Sequence, residues 1–209
     1  MAVSALRELA PDEPQAWSAA MPRQQRLCSL SPAFVQADVH RVPGLRAVHL
    51  GFEQEGQRWL HSFHLREVPG FGWSAISAYG YGGPLCSSAQ ARVVAAAWSA
   101  YTGWARDHHV LGEFCRFHPE AGHEGFFLGT VLANRTTISV DLTASPLEDQ
   151  YSALARRKLR RAAAFEVRWS REARDWRAFG AFYRRAMAAM GAHERYHFGD
   201  AYFDAIASV

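Results

Sequence analysis

The stretch Tyr79-Gly80-Tyr81-Gly82-Gly83-Pro84, residues 79–84, decides how the surrounding chain folds. Three glycines and a proline within six positions exclude the interior of a strand or helix, because glycine permits positive φ and proline lacks an amide donor. Strand-like residues 73–78 precede the stretch, and a helical pattern begins near Ser88. The sequence therefore predicts a tight strand-to-helix turn whose backbone amides and tyrosine rings face a ligand. A purely structural turn is the alternative.

Regular elements extend from this turn in both directions. Residues 45–54 and 58–67 alternate apolar and polar side chains around Glu55-Gly56, which predicts a β-hairpin. The other predicted elements are a strand and a helix within residues 3–21, strands at 110–117, 126–132, 137–142 and 166–170, and helices at 31–39, 88–107, 145–165, 173–190 and 200–207. This order predicts an α/β (α+β) fold, in which helices flank a mixed sheet.

Composition places the chain among globular proteins of reducing compartments. Hydrophobic residues make up 49% of the 209 residues, and no apolar run reaches the roughly 18 residues that a membrane span needs. The N-terminus carries acidic residues where a signal peptide is basic and then apolar, which favours a cytoplasmic location. The three cysteines, Cys28, Cys86 and Cys115, are widely spaced and fit reduced thiols better than a disulfide framework.

Charge is distributed unevenly along the chain. The net charge is +3, yet residues 154–185 contain eleven Lys or Arg against three acids. An excess of this size indicates an anionic partner for the C-terminal part, and a solvated helix face is the alternative.

A second signal opens the helix predicted from residue 145 to about Phe165. Ser145-Pro146-Leu147-Glu148 combines an N-cap serine, a proline at the first helical position and a glutamate two residues later. On this helix an apolar stripe is predicted, made of Leu147, Tyr151, Leu154, Ala162 and Phe165. Lys158 falls within the stripe and Arg161 at its edge, which is costly unless the cation reaches water or an anion. The sequence therefore predicts an anion contact here, or a helix end that emerges from the core.

Several segments together resemble the Fem-type (FemAB-like) family. They are YGYGGPL at the turn, EFCRFHP at 113–119, YSALARRKLRRA at 151–162 and FYRRAMAAMGAHERYHF at 182–198. This family comprises the peptidoglycan-bridge aminoacyltransferases and their acyl-CoA-using relatives within the GNAT superfamily. The resemblance extends from about Ser31 to Ser208, and the order of the glycine-rich turn and the basic helix is its most specific part.

The resemblance implies two GNAT-like domains, here residues 1–143 and an incomplete second domain at 144–209. It implies an N-acyltransferase that moves an acyl or aminoacyl group from acyl-CoA or aminoacyl-tRNA onto an amine of a phosphate-bearing acceptor, often a cell-wall precursor. Neither a tightly bound cofactor nor a metal is expected. The substrate-binding residues that it implies are Tyr81, Gly82, Gly83, Arg116, Arg157, Lys158 and Arg161.

Two departures from the family pattern affect this prediction. His118 occupies a position before Pro119 where the cell-wall enzymes tend to carry an acid, so His118 and Glu113 are the candidates for a catalytic base. No phosphate-cradling loop of the GNAT kind, in which Arg or Gln leads into Gly-x-Gly or Gly-x-Ala, follows Gly191, within what resembles the opening half of the second domain. We therefore expect either a fragment or a shortened relative without the donor pocket. The alternative function is a non-catalytic module that binds an anionic ligand or a partner.

Three further patterns carry less weight. Cys115, His118 and His123 have intervals at which metal ligands occur, but a proline interrupts them and no second cysteine pair is present. His61 and His64 are three residues apart on a predicted strand, so they face opposite sides and form no joint site. Nucleic-acid binding through the basic helices is a third function, without a recognised motif.

Overall fold

The structure is a computed structural model that describes residues 5–10 and 12–209. A six-stranded mixed sheet lies at its centre, with strands in the order β1-β2-β3-β4-β6 and β5 beside β3. The strands are β1 (Leu6–Glu8), β2 (Leu45–Gln54), β3 (Gln57–Val68), β4 (Gly72–Ile76), β5 (Leu85–Cys86) and β6 (Val110–Phe114). Helices flank this sheet, so the predicted α+β class is confirmed.

Strands β2 and β3 form the predicted hairpin. They pair antiparallel from Leu45↔Arg66 to Gln54↔Gln57. Glu55 and Gly56 make the turn with φ of 55° and 73°. Two consecutive residues of positive φ give the turn a twist that matches the strands it joins, which is why this dipeptide fixes the register.

The glycine-rich stretch corrects the prediction of a strand-to-helix turn. Strand β4 pairs with β3 over His64–Val68, and β5 returns to pair with Trp59 and Leu60 of the same strand. Residues 77–84 therefore leave the sheet between two strands on the same side of β3. Residues 61–63 of β3 pair with neither β4 nor β5. Helix α3 begins at Ala91, seven positions after the stretch ends, because the chain first rejoins the sheet.

Six α-helices accompany the sheet in the described chain. They are α1 (Pro14–Ala19), α2 (Pro32–Asp38), α3 (Ala91–Asp107), α4 (Ala153–Ala162), α5 (Ala173–Ala189) and α6 (Asp200–Ile206). The helices predicted at 31–39, 88–107, 173–190 and 200–207 are confirmed within three residues. Ser31 caps α2 as expected, since its Oγ accepts a hydrogen bond from the Phe34 amide at 3.2 Å. Residues 3 and 4 and Pro11, which belong to the predicted first strand and helix, lie outside the described residues.

Two apolar clusters cover the two faces of the sheet. On one face α3 packs through Val94 and Tyr101 against Phe63 and Leu65 of β3. On the other face Trp17 of α1 and Met21 pack with neighbours that include Leu60 and Leu85. Alternation along β3 explains this division, because neighbouring residues of a strand point to opposite faces.

The described chain divides into two compact units. One comprises the residues up to Val131 together with Ala173–Val209, and the other is Leu132–Glu172. Helices α5 and α6 thus belong to the unit that contains the sheet, where α6 contacts α2. The predicted domain boundary between residues 143 and 144 stays a prediction. No described helix combines the length and apolarity needed to cross a bilayer.

The strands predicted at 126–132, 137–142 and 166–170 are wrong. Residues 124–126 form a short 3-10 helix, and 127–142 and 166–170 contain no strand. A strand is stabilised by a hydrogen-bonded neighbour, and no described strand lies beside these segments. Apart from Phe126 and Phe127, their large apolar side chains are correspondingly exposed, at 90% for Ile138 and 95% for Trp169.

The helix predicted from residue 145 is also corrected. Residues Leu147–Gln150 form a 3-10 helix, Tyr151 is extended, and α4 starts only after Ser152. Ser152 is the cap, because its Oγ accepts a hydrogen bond from the Ala155 amide at 3.2 Å. The predicted apolar stripe is divided between two elements for this reason, and α4 has no buried residue.

Candidate functional site

Hydrogen bonds hold the glycine-rich stretch against the chain that follows β6. The Ser77 amide donates to the Phe114 carbonyl at 3.2 Å, and the Gly82 amide donates to the Arg116 carbonyl at 2.9 Å. Between these bonds, the Arg116 amide donates to the Ser77 Oγ at 2.9 Å. The backbone of Arg116 is thus fixed on both sides, by Ser77 just before the stretch and by Gly82 within it.

Glycine is required at position 83 for two reasons. Its φ is +113°, and a Cβ placed there would lie 2.7 Å from Cε1 of Phe117. The Phe117 ring also packs against His123 and Phe127, with ring centroids 5.4 and 5.5 Å away. Phe117 therefore points inward beneath the stretch, while its neighbour Arg116 is exposed.

His118 is held from three directions. Its ring packs edge-on against Tyr81 with centroids 4.7 Å apart. Its amide donates to Nε2 of His123 at 3.1 Å, and its Nδ1 accepts from the Glu120 amide at 3.2 Å. An Nδ1 atom that accepts carries no proton, so the neutral ring bears its proton on Nε2.

His123 connects this segment to the glycine-rich stretch. It is fully buried, and its Nδ1 donates to the Pro84 carbonyl at 3.2 Å while Nε2 accepts from the His118 amide. Burial lowers the pKa of His123. The neutral ring is the form that fits both bonds, because one nitrogen donates and the other accepts.

The first residue of the stretch is fixed by a buried carboxylate. Asp38 accepts from the Tyr79 amide at 2.8 Å and from Nε of Arg41 at 3.2 Å. The Arg41 guanidinium lies 5.3 Å from the centroid of the Tyr79 ring. The same ring packs edge-on against Phe198, with centroids 5.6 Å apart. The glycine-rich stretch and residues 194–198 therefore meet in space.

A buried polar network lies where β4 leaves the sheet. Glu113 of β6 accepts through Oε1 from Nε2 of His61 at 2.6 Å and from the Cys115 thiol at 3.0 Å. Its Oε2 accepts from the Tyr101 hydroxyl at 2.6 Å. The network links β3, β6 and α3, because these side chains belong to those elements or follow them directly.

The network sets the charge of its members. Burial alone would raise the pKa of Glu113, but the charge interaction with His61 and the hydrogen bonds from its three neighbours lower it. Burial and the Glu113 carboxylate raise the pKa of the Cys115 thiol and of the Tyr101 hydroxyl. Glu113 is therefore ionised with both oxygens engaged, and Cys115 is a protonated thiol of low reactivity.

Metal binding fits this network poorly. Ligand atoms of His61, Glu113 and Cys115 lie within 4.8 Å of one another, and N, O and S donors of this kind suit zinc. Coordination through Nε2 of His61 would leave the ring proton on Nδ1, which is buried without a hydrogen-bond partner. The set Cys115, His118 and His123 does not converge either, since both nitrogens of His123 are engaged with the backbone.

The remaining predicted site residues lie in the other unit. Arg157, Lys158 and Arg161 are exposed on α4. No acid among the described residues forms an ion pair with any of these three. Arg157 and Arg161 are four residues apart, so their side chains lie one above the other on the same face of the helix.

The structure thus brings together five of the nine residues that the sequence singled out. They are Tyr81, Gly82, Gly83, Arg116 and His118, while Glu113 belongs to the buried network. His61 and Tyr101 were missed as partners of Glu113. No sequence signal marks them, because His61 is 52 residues from Glu113 and looks like an ordinary strand position.

Comparisons of this chain with protein-family models, with curated proteins and with solved structures found no match.

Proposed function

We propose that this protein is an N-acyltransferase of GNAT-like architecture. It transfers an acyl or aminoacyl group from acyl-CoA or aminoacyl-tRNA onto an amine of a phosphate-bearing acceptor, such as a cell-envelope precursor. The observation that carries the proposal is the junction of residues 79–84 with 114–118, where the sheet opens between β4 and β5. Five of the sequence-selected residues, Tyr81, Gly82, Gly83, Arg116 and His118, meet there. A reducing cytoplasm is the location that fits the three free cysteines.

The geometry suits a reaction that depends on positioning. Acyl transfer to an amine needs the two reactants held in place and the developing oxyanion stabilised. The backbone at the junction is fixed by hydrogen bonds on both sides of Arg116. The side chains that this backbone carries therefore start from fixed positions. The Gly82 amide is already engaged with the Arg116 carbonyl and is therefore not free as an oxyanion donor.

In this proposal, exposed cationic side chains bind the phosphate groups of the substrate. Arg116 is exposed at the junction, and no acid forms an ion pair with it in the described chain. A guanidinium in this situation binds phosphate oxygens through forked hydrogen bonds. Arg157, Lys158 and Arg161 are proposed to contact a phosphate-bearing ligand as well.

The second candidate is a non-catalytic module that binds an anionic ligand or a partner. One observation favours it: neither candidate base presents an unengaged acceptor atom to an incoming amine, and the Glu113 carboxylate is also buried. Both oxygens of Glu113 accept internal hydrogen bonds, and Nδ1 of His118 accepts from Glu120. In this alternative the anion-binding residues stay the same, and no acyl group moves.

A transfer assay separates the two candidates. The purified chain is incubated with acetyl-CoA or with aminoacyl-tRNA and a panel of amines that includes phosphate-bearing ones. Mass spectrometry then detects the acylated amine, a readout that the exposed Cys28 thiol does not disturb. Product that accumulates in proportion to protein supports the transferase. Saturable binding of the ligands without product supports the binding module.

A further inference from the structure

We infer that Arg116 and His118 form an oxyanion-binding subsite in which His118 donates a hydrogen bond through Nε2 and does not act as a base. The ligand class is a phosphate or diphosphate. The inference rests on the proposed function only for the identity of the substrate that carries the phosphate. Binding of the phosphate itself does not depend on that function. It assigns to His118 a role opposite to the catalytic base that the sequence suggests.

The neutral His118 ring carries its proton on Nε2. Nδ1 accepts from the Glu120 amide at 3.2 Å, so the proton of the neutral ring is on Nε2. No described group accepts from this Nε2 atom. Nε2 of His118 is thus a donor that lacks an acceptor among the described residues.

The His118 ring and the Arg116 backbone are each held in place by neighbouring groups. The His118 amide donates to the buried His123, and the His118 ring packs on Tyr81. The Arg116 backbone is held by Ser77 and Gly82. The His118 ring, held in this way, loses little conformational entropy when it binds an anion.

The packing of Phe117 indicates the direction of the Arg116 and His118 side chains. Phe117 separates the two residues and points inward, against Gly83 and Phe127. Arg116 is exposed and His118 half-buried. Residues 115–118 follow β6 without a helix or turn, and the residue before a proline favours extended backbone. In such backbone, positions 116 and 118 share a side opposite to that of Phe117. A cation and a neutral donor on one side of a fixed segment match an oxyanion, which accepts from both.

Two substitutions of His118 distinguish a role as hydrogen-bond donor through Nε2 from a purely structural role, in which Nδ1 accepts from the Glu120 amide. In His118→Gln the side-chain amide nitrogen takes the place of Nε2, so the donor is kept and the acceptor for Glu120 is lost. In His118→Asn the side-chain oxygen takes the place of Nδ1, so the acceptor is kept and the donor is lost. Arg116→Gln removes the cation. Arg106→Gln is the matched control, because Arg106 is an exposed arginine in the last turn of α3.

The experiment is an NMR titration of the full chain with inorganic pyrophosphate, at low salt and pH 7.5. Imidazole nitrogen shifts identify the protonated ring nitrogen, and the amide spectrum confirms that each variant is folded. We expect a proton on Nε2 of His118 and a saturable shift of its signals. His118→Asn and Arg116→Gln should each weaken pyrophosphate binding by about tenfold. His118→Gln and Arg106→Gln should stay within about threefold of the wild type.

A proton on Nδ1, the absence of saturation, or rescue by Asn in place of Gln would each overturn the inference. Tighter binding of acetate than of pyrophosphate would overturn the assignment to phosphate. The proposed function fails separately: pyrophosphate binding with the expected variant pattern, but no acyl transfer, leaves the subsite intact and removes the transferase. Acyl transfer that is unaffected by His118→Asn would support the transferase and overturn the subsite.

Discussion

Nε2 of His61 and Oε1 of Glu113 lie 2.6 Å apart and join strand β3 to strand β6 where β4 leaves the sheet. The side chain of His61 is fully buried and that of Glu113 is 7% exposed. Glu113→Ala should therefore destabilise the protein strongly, by about 3 kcal/mol, since His61 and Tyr101 would both keep buried donors without an acceptor.

Urea unfolding at pH 7 measures this loss. Glu67→Ala is the control, because Glu67 is an exposed residue of the same sheet, and it should change the free energy of unfolding by less than about 0.5 kcal/mol. Equal stability of the two variants would mean that the network contributes nothing to the fold.

Acid should destabilise the protein through buried histidines. Burial, with a smaller contribution from His64, lowers the pKa of His49 to about 4, and burial also lowers the pKa of His64 and His123. The unfolded chain binds these protons near pH 6.5 and the folded chain only at lower pH. Stability is therefore full above pH 6.5 and falls as the pH drops towards 4.

For His49 alone, the loss by pH 4 is on the order of 2–3 kcal/mol. Urea unfolding of the wild type and of His49→Gln between pH 7 and 4.5 checks this value. The variant should lose stability less steeply as the pH falls. Identical slopes would show that His49 titrates in the folded chain as it does in the unfolded chain.

Gly83→Ala should disturb the junction. The added Cβ meets the Phe117 ring at 2.7 Å, and φ of +113° is strained for alanine. We expect a loss of about 1–3 kcal/mol. Gly103→Ala provides a control of opposite sign, because Gly103 lies within α3 with nothing within 4 Å of its added Cβ. Alanine there should stabilise the protein by up to about 1 kcal/mol. Thermal unfolding compares both variants, and similar shifts in Tm would contradict the tight packing at Gly83.

Tyr79 and Phe198 should be energetically coupled. Their rings meet edge-on at 5.6 Å, a geometry that adds about 0.5–1.5 kcal/mol beyond burial. A double-mutant cycle with Tyr79→Ala and Phe198→Ala, followed by urea unfolding, measures this coupling. Additive losses would mean that the two segments do not pack together in solution.

The basic helix allows a comparison at constant charge. Arg157 and Arg161 have the same i, i+4 spacing as Arg156 and Arg160, which lie on another face of α4. We expect the double substitution of Arg157 and Arg161 by Gln to weaken acetyl-CoA binding by about tenfold. The same change at Arg156 and Arg160 should alter it by less than about threefold. Equal weakening in isothermal titration would indicate a diffuse charge effect in place of a site.

Local patterns predicted the parts of the fold that local chemistry determines. Glu55-Gly56 set the hairpin because both residues adopt positive φ, and Ser31 set the start of α2 because its hydroxyl caps the helix. The signal at Ser145 failed because Ser152 competes for the same role and caps α4 instead. The segments at 126–142 have strand-like composition, but strand formation also needs a neighbour, and a single segment does not reveal whether one exists.

The candidate site was predictable in part. Residues 79–84 and 113–118 were selected because their composition is unusual, and their approach through Gly82 and Arg116 is visible only in the structure. His61 could not be selected, since its role depends on a carboxylate that arrives from another strand. The inferred role of His118 as a donor depends on the hydrogen bond from the Glu120 amide, which residue type does not reveal.

The most direct test of the proposed transferase is acyl transfer by the wild type, Arg116→Gln and Arg106→Gln, measured side by side with the same donor and amine. We predict acylated product with the wild type and with Arg106→Gln, and a rate at least about tenfold lower with Arg116→Gln. Equal rates for both variants, or product with none of the three proteins, would contradict the proposal.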